Sequence, residues 1–396
     1  MTELAVRDAT DDDWPGIARL TATSFGSYWH PETFTAWRTL MVAGSTVVVG
    51  DGDDVVAMAH YLDFTLTVPG GATLPAAGLT WVGVAPTHRR RGLLRAMYTE
   101  LHDRIRSAGY PLAVLTASEG GIYGRFGYGA ATTETTLTVD RRFARFHTDL
   151  PDPGGVRLVA PRENRDRLAE VYDRYRRRTP GGLERPTPLW DDLLADWEDS
   201  RGGGTAWFCL LHPDGYVLYR SHGRPRTVRV EEFTAVTPEA HVALWRALVG
   251  LDLVETVTVR SHPADPLPYY FDDARVVRTT GAEDELWVRI MDVPAALQAR
   301  TYAADLDVVV EIDDGFRGDG GTFALTVRNG QATCTPTEAP ADMTMALDVL
   351  GGLYLGVHSA RMLAAAHRIR GGSAEQVARV DAALRSDVAA QLGFHF

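Results

Sequence analysis

The sequence predicts a mixed α/β (α+β) chain of three units in series. Three observations predict it. An apolar strand, an arginine-glycine turn, an amphipathic helix and a second apolar strand follow one another between Thr80 and Ser118. After the turn-rich segment Pro151-Asp-Pro-Gly-Gly155 the same order of elements restarts. From about residue 291 the pattern changes to alternating strands followed by helices. The expected units are residues 1–150, 151–290 and 291–396.

The first unit opens on a short strand, Leu4-Ala-Val-Arg7. Asp11, Asp12 and Asp13 then form an acidic helix start, with Pro15 in its first turn. Apolar runs at 46–50 and 55–61 flank Asp51-Gly-Asp-Asp54, a hairpin signal. The strand ending at Val84 leads through Arg89-Arg90-Arg91 to Gly92, where a helix begins. A helix start has unpaired backbone N–H groups and a positive dipole end, so it attracts anions. Gly92 has no Cβ and lets a phosphate approach the backbone. Arg89, Arg90, Arg91 and Arg95 add charge-assisted donors. Residues 111–118 read as a buried strand, and Ile122-Tyr123-Gly124-Arg125-Phe126-Gly127-Tyr128 as an aromatic turn. Residues 132–139 alternate like an edge strand.

In the second unit, a strand at 156–159 and a helix over 162–177 echo the opening. A hairpin around His212-Pro-Asp-Gly215, a strand, a helix over 238–249 and a strand over 254–260 follow. Where the first unit has its arginine-glycine turn, this one has Thr237-Pro-Glu-Ala-His241. It has neither the glycine nor the arginines, so the unit reads as degenerate and non-catalytic. The third unit is expected to run from a helix at 294–303 through strands at 307–312, 322–327 and 331–335. Helices over 347–356, 359–370 and 374–391 close the chain.

Composition bounds the function. The 396 residues carry 40 basic and 52 acidic side chains, a net charge of −12. That balance argues against a nucleic-acid partner and is compatible with cationic substrates, as well as with simple solubility. Every basic residue other than histidine is arginine; no lysine occurs. The protein therefore has no side-chain primary amine of its own. Cys209 and Cys334 lie far apart without zinc spacing and read as core thiols, so no metal is expected. Neither a signal-peptide pattern nor a run long enough to span a bilayer is visible. The default location is the bacterial cytoplasm.

The stretch Arg89-Arg90-Arg91-Gly92-Leu93-Leu94 resembles the coenzyme-A motif Q/R-x-x-G-x-G/A of the GNAT acetyltransferases. Leu94 departs from its usual small residue. The segment from Tyr123 to Tyr128 resembles the GNAT pattern Y-x-x-x-G-F/Y. On its own, Tyr123 reads as an aromatic packed beside Phe126 and Tyr128; after the first motif it reads as catalytic. Residues 117–129 and 139–146 are similar to the enhanced intracellular survival (Eis) family. So are Leu211-His-Pro-Asp-Gly-Tyr216, residues 244–252 and residues 286–297. The likeness runs nearly end to end. It implies tandem GNAT folds, catalytic then degenerate, followed by a sterol-carrier-protein-2-like domain. It also implies a homohexamer using acetyl-CoA as cosubstrate.

Acetyl transfer to an amine has three needs. The thioester must be held, the ammonium must lose a proton, and the thiolate must gain one. Backbone N–H groups at Val82, Gly83 and Val84 are placed to hold the thioester. The turn Arg90–Arg95 takes the pyrophosphate, and the resemblance sets Ser118 and Glu119 against the coenzyme. Tyr123 is the expected proton donor, with Ser118 as runner-up. By residue type the base is open among His60, Asp63 and Glu119. The resemblance points instead to the terminal carboxylate of Phe396, which an apolar end, Gly393-Phe-His-Phe396, would dock. Without it, a frayed tail is the plainer reading. The acceptor pocket is expected at Ser27, Trp37 and His395, near Tyr28 and Trp29, with Phe25 in the core. Some family members carry acidic residues where Ser27 and His395 stand. The acceptor class is primary amines, including aminoglycosides and other polyamine-like molecules. A protein-lysine acetyltransferase, a lipid-binding protein and an acetyl-CoA sensor remain the alternatives.

Overall fold

The computed structural model describes residues 4–26, 28–223 and 226–396. Three sheets organise it, and two of them exchange strands. The first sheet runs Val6–Asp8, Met41–Asp51, Asp54–Thr67, Thr73–Val84, Leu112–Thr116, Leu286–Ile290 and Gly129–Ala130. Leu286–Ile290 comes from late in the chain. It pairs antiparallel with Leu112–Thr116, Trp287 opposite Leu115. In return, Thr133–Asp140 lies inside the second sheet, between Val277–Asp284 and Val254–Ser261. It was expected at an edge. Its alternation reflects one face buried in the second core, where Leu137 and Val139 pack with Val257 and Val259.

The first sheet is covered on both faces. On one side the helix Leu93–Ser107 packs Met97, Leu101 and Ile105 onto Val47, Ala57, Leu79 and Leu115. Those helix positions recur at helical spacing. On the other side Leu62, Phe64, Leu112 and Val288 join Leu347, Leu350 and Tyr354 of the third unit in one continuous core. The third sheet runs Gln331–Pro336, Gly321–Arg328, Leu306–Asp313, Met343–Ala346 and Ile369–Gly371.

Every helix expected in the third unit ends early: the first stops at Ala299 rather than 303 and the second at Leu353 rather than 356. The helix expected over 359–370 is short, Ala360–Ala365. His367 then takes a left-handed φ of 57°, and Ile369 pairs with Met345 as a strand. The last helix ends at Leu384 rather than 391. Beyond it the chain leaves the helical region at Arg385 and runs irregularly across to the first two units.

Candidate active site

The arginine-glycine turn is built as a helix start. A short 3-10 turn, Pro86–His88, follows the strand Thr73–Val84. Arg90 has φ 62° and Gly92 has φ 80°, both left-handed. Gly92 is the N-cap of Leu93–Ser107. A Cβ there would meet nothing within 4 Å, so it is the left-handed backbone and not crowding that favours glycine, and the space in front is open. Leu93 is buried in the core and Leu94 is half-buried. Their backbone N–H groups belong to the unpaired first turn. Arg89, Arg90 and Arg91 are exposed. The Arg95 guanidinium lies over the Phe316 ring of the third unit, 4.9 Å from its centroid. An open, cationic helix start of this kind fits a diphosphate.

The sheet splays beside it. Thr73–Val84 pairs in parallel with Leu112–Thr116 only through Ala76, Ala77 and Gly78. Past that point the strands part and line a cavity of about 250 Å³. A bulge accompanies the split. Thr80 and Gly83 face His60 and Met58, so Trp81 and Val82 oppose a single residue. Trp81 has φ 50° and is buried against Phe34, ring centroids 5.1 Å apart. Val82 lines the cavity; Gly83 and Val84 sit farther along the strand, in register with Met58 and Ala57.

Tyr123 reaches the same cavity from the turn Tyr123–Phe126, as does Ser118. Burial raises the Tyr123 pKa above its ordinary value, while a hydrogen bond with the Ser118 side chain opposes the shift. Glu119 is exposed and lies outside the lining. Tyr98, which sequence reasoning missed, also lines the cavity. Its hydroxyl is buried without a partner among the described residues. On the helix it occupies an ordinary core position beside Met97 and Leu101, so no sequence signal distinguishes it.

Phe396 closes the far wall. Its backbone oxygen accepts a hydrogen bond from Thr116 Oγ1 at 3.3 Å. Its ring and the Phe64 ring occupy the space over Gly78, where a Cβ would fall 2.9 Å from Phe396 and 2.5 Å from Phe64. The other candidate bases lie elsewhere. His60 is buried, bonded to Thr46 Oγ1 at 2.8 Å, and burial lowers its pKa to about 3. Asp63 is exposed; neither it nor His60 lines this cavity or the larger one beside it.

A larger cavity of about 640 Å³ adjoins the first. The two share Glu134, Arg260, Glu285 and His395. Tyr28, Trp29 and Trp37 form an aromatic side. Asp192, Asp199, Glu231 and Glu232 add carboxylates. Glu231 and Glu232 pair with Arg229 and Arg185, whereas Asp192 and Asp199 have no cation in salt-bridge range among the described residues. Burial, reinforced by Glu134, raises the Glu285 pKa to about 7. Glu134, Glu285 and His395 bring ligand-type atoms within 4.8 Å of one another. Arg260 bonds both Glu134 and His395 at 3.2 Å, so a guanidinium already supplies positive charge there. Ser27 lies outside the described residues. Phe25 is 44% exposed at the rim of the smaller cavity, not in the core, because the helix Trp14–Phe25 ends with it facing that opening. The second unit's counterpart of the anion turn is closed by its own side chain: Thr237 caps Ala240 N at 3.2 Å.

Acetyltransferase (GNAT) domain models match residues 5–131 and 181–290, and a sterol carrier protein domain model matches 293–393. The chain is 54% identical over 399 residues to N-acetyltransferase Eis of Mycobacterium tuberculosis (strain ATCC 25177 / H37Ra), covering 98% of each. An uncharacterized N-acetyltransferase of Streptomyces avermitilis is 39% identical, over 92% of this chain and 93% of that one. The crystal structure of Eis1 from Mycobacterium abscessus superposes with a TM-score of 0.88 at 30% identity, over the full length of both chains. No helix among the described residues is long and apolar enough to cross a membrane. With two GNAT sheets, a sterol-carrier-like third unit and full-length identity of this degree, the chain belongs to the Eis family of N-acetyltransferases.

Proposed function

We propose that this enzyme acetylates primary amines of small polycationic molecules, aminoglycosides and related polyamines among them, and can do so at more than one position. One observation carries the reading. The cavity that holds Tyr123 and Phe396 opens into a larger one with aromatic and carboxylate walls. A cationic acceptor suits such walls, because carboxylates and aromatic faces both attract ammonium groups.

Acetyl-CoA supplies the acetyl group as an activated thioester. The helix start at Gly92, with Arg90, Arg91 and the N–H groups of Leu93, Leu94 and Arg95, is suited to its pyrophosphate. Val82, Gly83 and Val84 lie on the splayed strand suited to its acyl end; Ser118 lines the same cavity, and by family resemblance Glu119 also contacts the coenzyme. The terminal carboxylate of Phe396 takes a proton from the acceptor's ammonium. The free amine then attacks the thioester carbonyl; the C–S bond breaks as the Tyr123 hydroxyl gives its proton to the departing sulfur, and the tyrosinate recovers a proton from the acetylated nitrogen, leaving the neutral amide. Trp37 and His395 face the acceptor. By family resemblance the enzyme works as a homohexamer in the bacterial cytoplasm, which light scattering and fractionation test.

The functional test is a turnover screen with acetyl-CoA against aminoglycosides, linear polyamines and lysine peptides, followed by mass counting of added acetyl groups. Multiple acetylation of the small polycations is expected. Turnover confined to lysine peptides would overturn the acceptor class.

A further inference from the structure

The second unit lacks the anion turn, yet it carries a buried cation with an unusual setting. Arg185 is 2% exposed in its side chain. Its guanidinium faces three aromatic rings: Trp190 at 4.3 Å, Tyr172 at 4.7 Å and Phe394 at 4.7 Å. Two of these rings belong to the second unit, on helices Arg165–Arg176 and Thr187–Ala195. The third belongs to the end of the chain. Arg185 also bonds Glu232 at 2.7 and 3.2 Å, and Glu232 accepts from Tyr216 Oη at 2.8 Å. Its second nitrogen reaches the Gly393 carbonyl at 3.4 Å.

The tail is held residue by residue around this cation. Gln391 N donates to Pro180 O at 2.9 Å, and Leu392 N donates to Glu285 at 3.2 Å. Gly393 takes φ 95° against Tyr172, where a Cβ would fall 2.8 Å from the hydroxyl. Phe394 passes the contact on to Phe64 at 6.0 Å, and Phe64 stands 4.9 Å from Phe396. Cation, ring, ring and terminal residue thus form one packed series.

We propose that Arg185 is a positioning residue: it fixes the tail so that the Phe396 carboxylate faces the reacting amine. Tail capture is then what the second unit contributes to the reaction. The proposal rests on the terminal carboxylate acting as base. Arginine suits the task because its planar face stacks on rings while its edge pairs with a carboxylate, which lysine cannot reproduce.

The experiment is a double-mutant cycle on the full-length enzyme. Arg185→Lys keeps the charge beside Glu232 but loses the stacking. It is combined with a single glycine added after Phe396. In the native-ended enzyme, Arg185→Lys is expected to lower kcat roughly 10- to 100-fold, the scale of a small misplacement, with acetyl-CoA affinity unchanged. In the glycine-extended enzyme, which has already lost the carboxylate, the same substitution should change kcat by no more than about two-fold. Equal losses in both backgrounds would overturn the positioning role alone. No loss from the extension itself would overturn the terminal base, and the proposal with it. Should Arg185→Lys fail to fold, Phe394→Leu opens the same aromatic box from the tail and must show the same dependence on the chain end.

Discussion

The Phe396 ring stands edge-on to the Phe64 ring, centroids 4.9 Å apart and planes at 69°. Phe64 lies on the strand Asp54–Thr67, beside the strand that splays to open the cavity. The contact therefore ties the end of the third unit to the sheet of the first. Gly78 makes room for it, and Thr116 Oγ1 supplies the polar anchor. A residue 280 positions away from Thr116 is thereby brought to the same cavity as Tyr123.

The anion turn gives the first prediction. Gly92→Asp places a negative charge where a pyrophosphate is expected. Gly92→Asn adds a similar volume without the charge, and asparagine tolerates that conformation. Calorimetry should show acetyl-CoA binding lost in the aspartate variant and retained, more weakly, in the asparagine one. Equal affinity of both variants for acetyl-CoA would remove the pyrophosphate from this turn.

Tyr123→Phe tests the proton donor. The ring still fills its place beside Tyr98 and Trp287. Loss of the hydroxyl should cost roughly 10²- to 10⁴-fold in kcat, with acetyl-CoA affinity little changed. If kcat stayed near wild type while chemistry was rate-limiting, the donor would be Ser118 or water.

Glu285 gives a pH-dependent stability. Burial, then Glu134, holds its folded pKa near 7, above the ordinary 4.5. Between those values the folded state keeps a proton that the unfolded chain releases. Its contribution to stability is therefore present below about pH 4.5 and lost as pH rises through about 7. One proton sets a maximum slope of about 1.4 kcal/mol per pH unit. Urea midpoints across that window should fall with pH more steeply for wild type than for Glu285→Gln. Parallel slopes would show that Glu285 does not hold the proton.

What could be read in the sequence was local. The arginine-glycine turn was legible because a helix start and a left-handed glycine are set by neighbouring residues. The helix Pro238–Val249 was legible for the same reason, with a threonine cap and a proline at its start. Strand exchange was not. The run Leu286–Ile290 is a fully buried strand in the structure, and nothing within its sequence says which sheet it joins. The carboxylates of the larger cavity were equally hidden, since Glu134, Asp192, Glu232 and Glu285 share no spacing. Tyr98 carried the pattern of any core residue. The place of the tail came from family resemblance, because residues 385–396 have no periodicity from which a docked path could be read.

The most direct test of the account is the enzyme with one glycine appended after Phe396. The addition converts the carboxylate on Phe396 into a neutral amide and sets a new carboxylate about 3.3–3.6 Å farther along the chain if extended. If Phe396 is the base, kcat should fall by roughly 10²-fold or more, and the acidic limb of the pH–rate profile should change. Thermal stability and acetyl-CoA affinity should stay close to wild type. Full turnover with an unchanged pH–rate profile in the extended enzyme would contradict the account and move the base to Glu119 or a bound water.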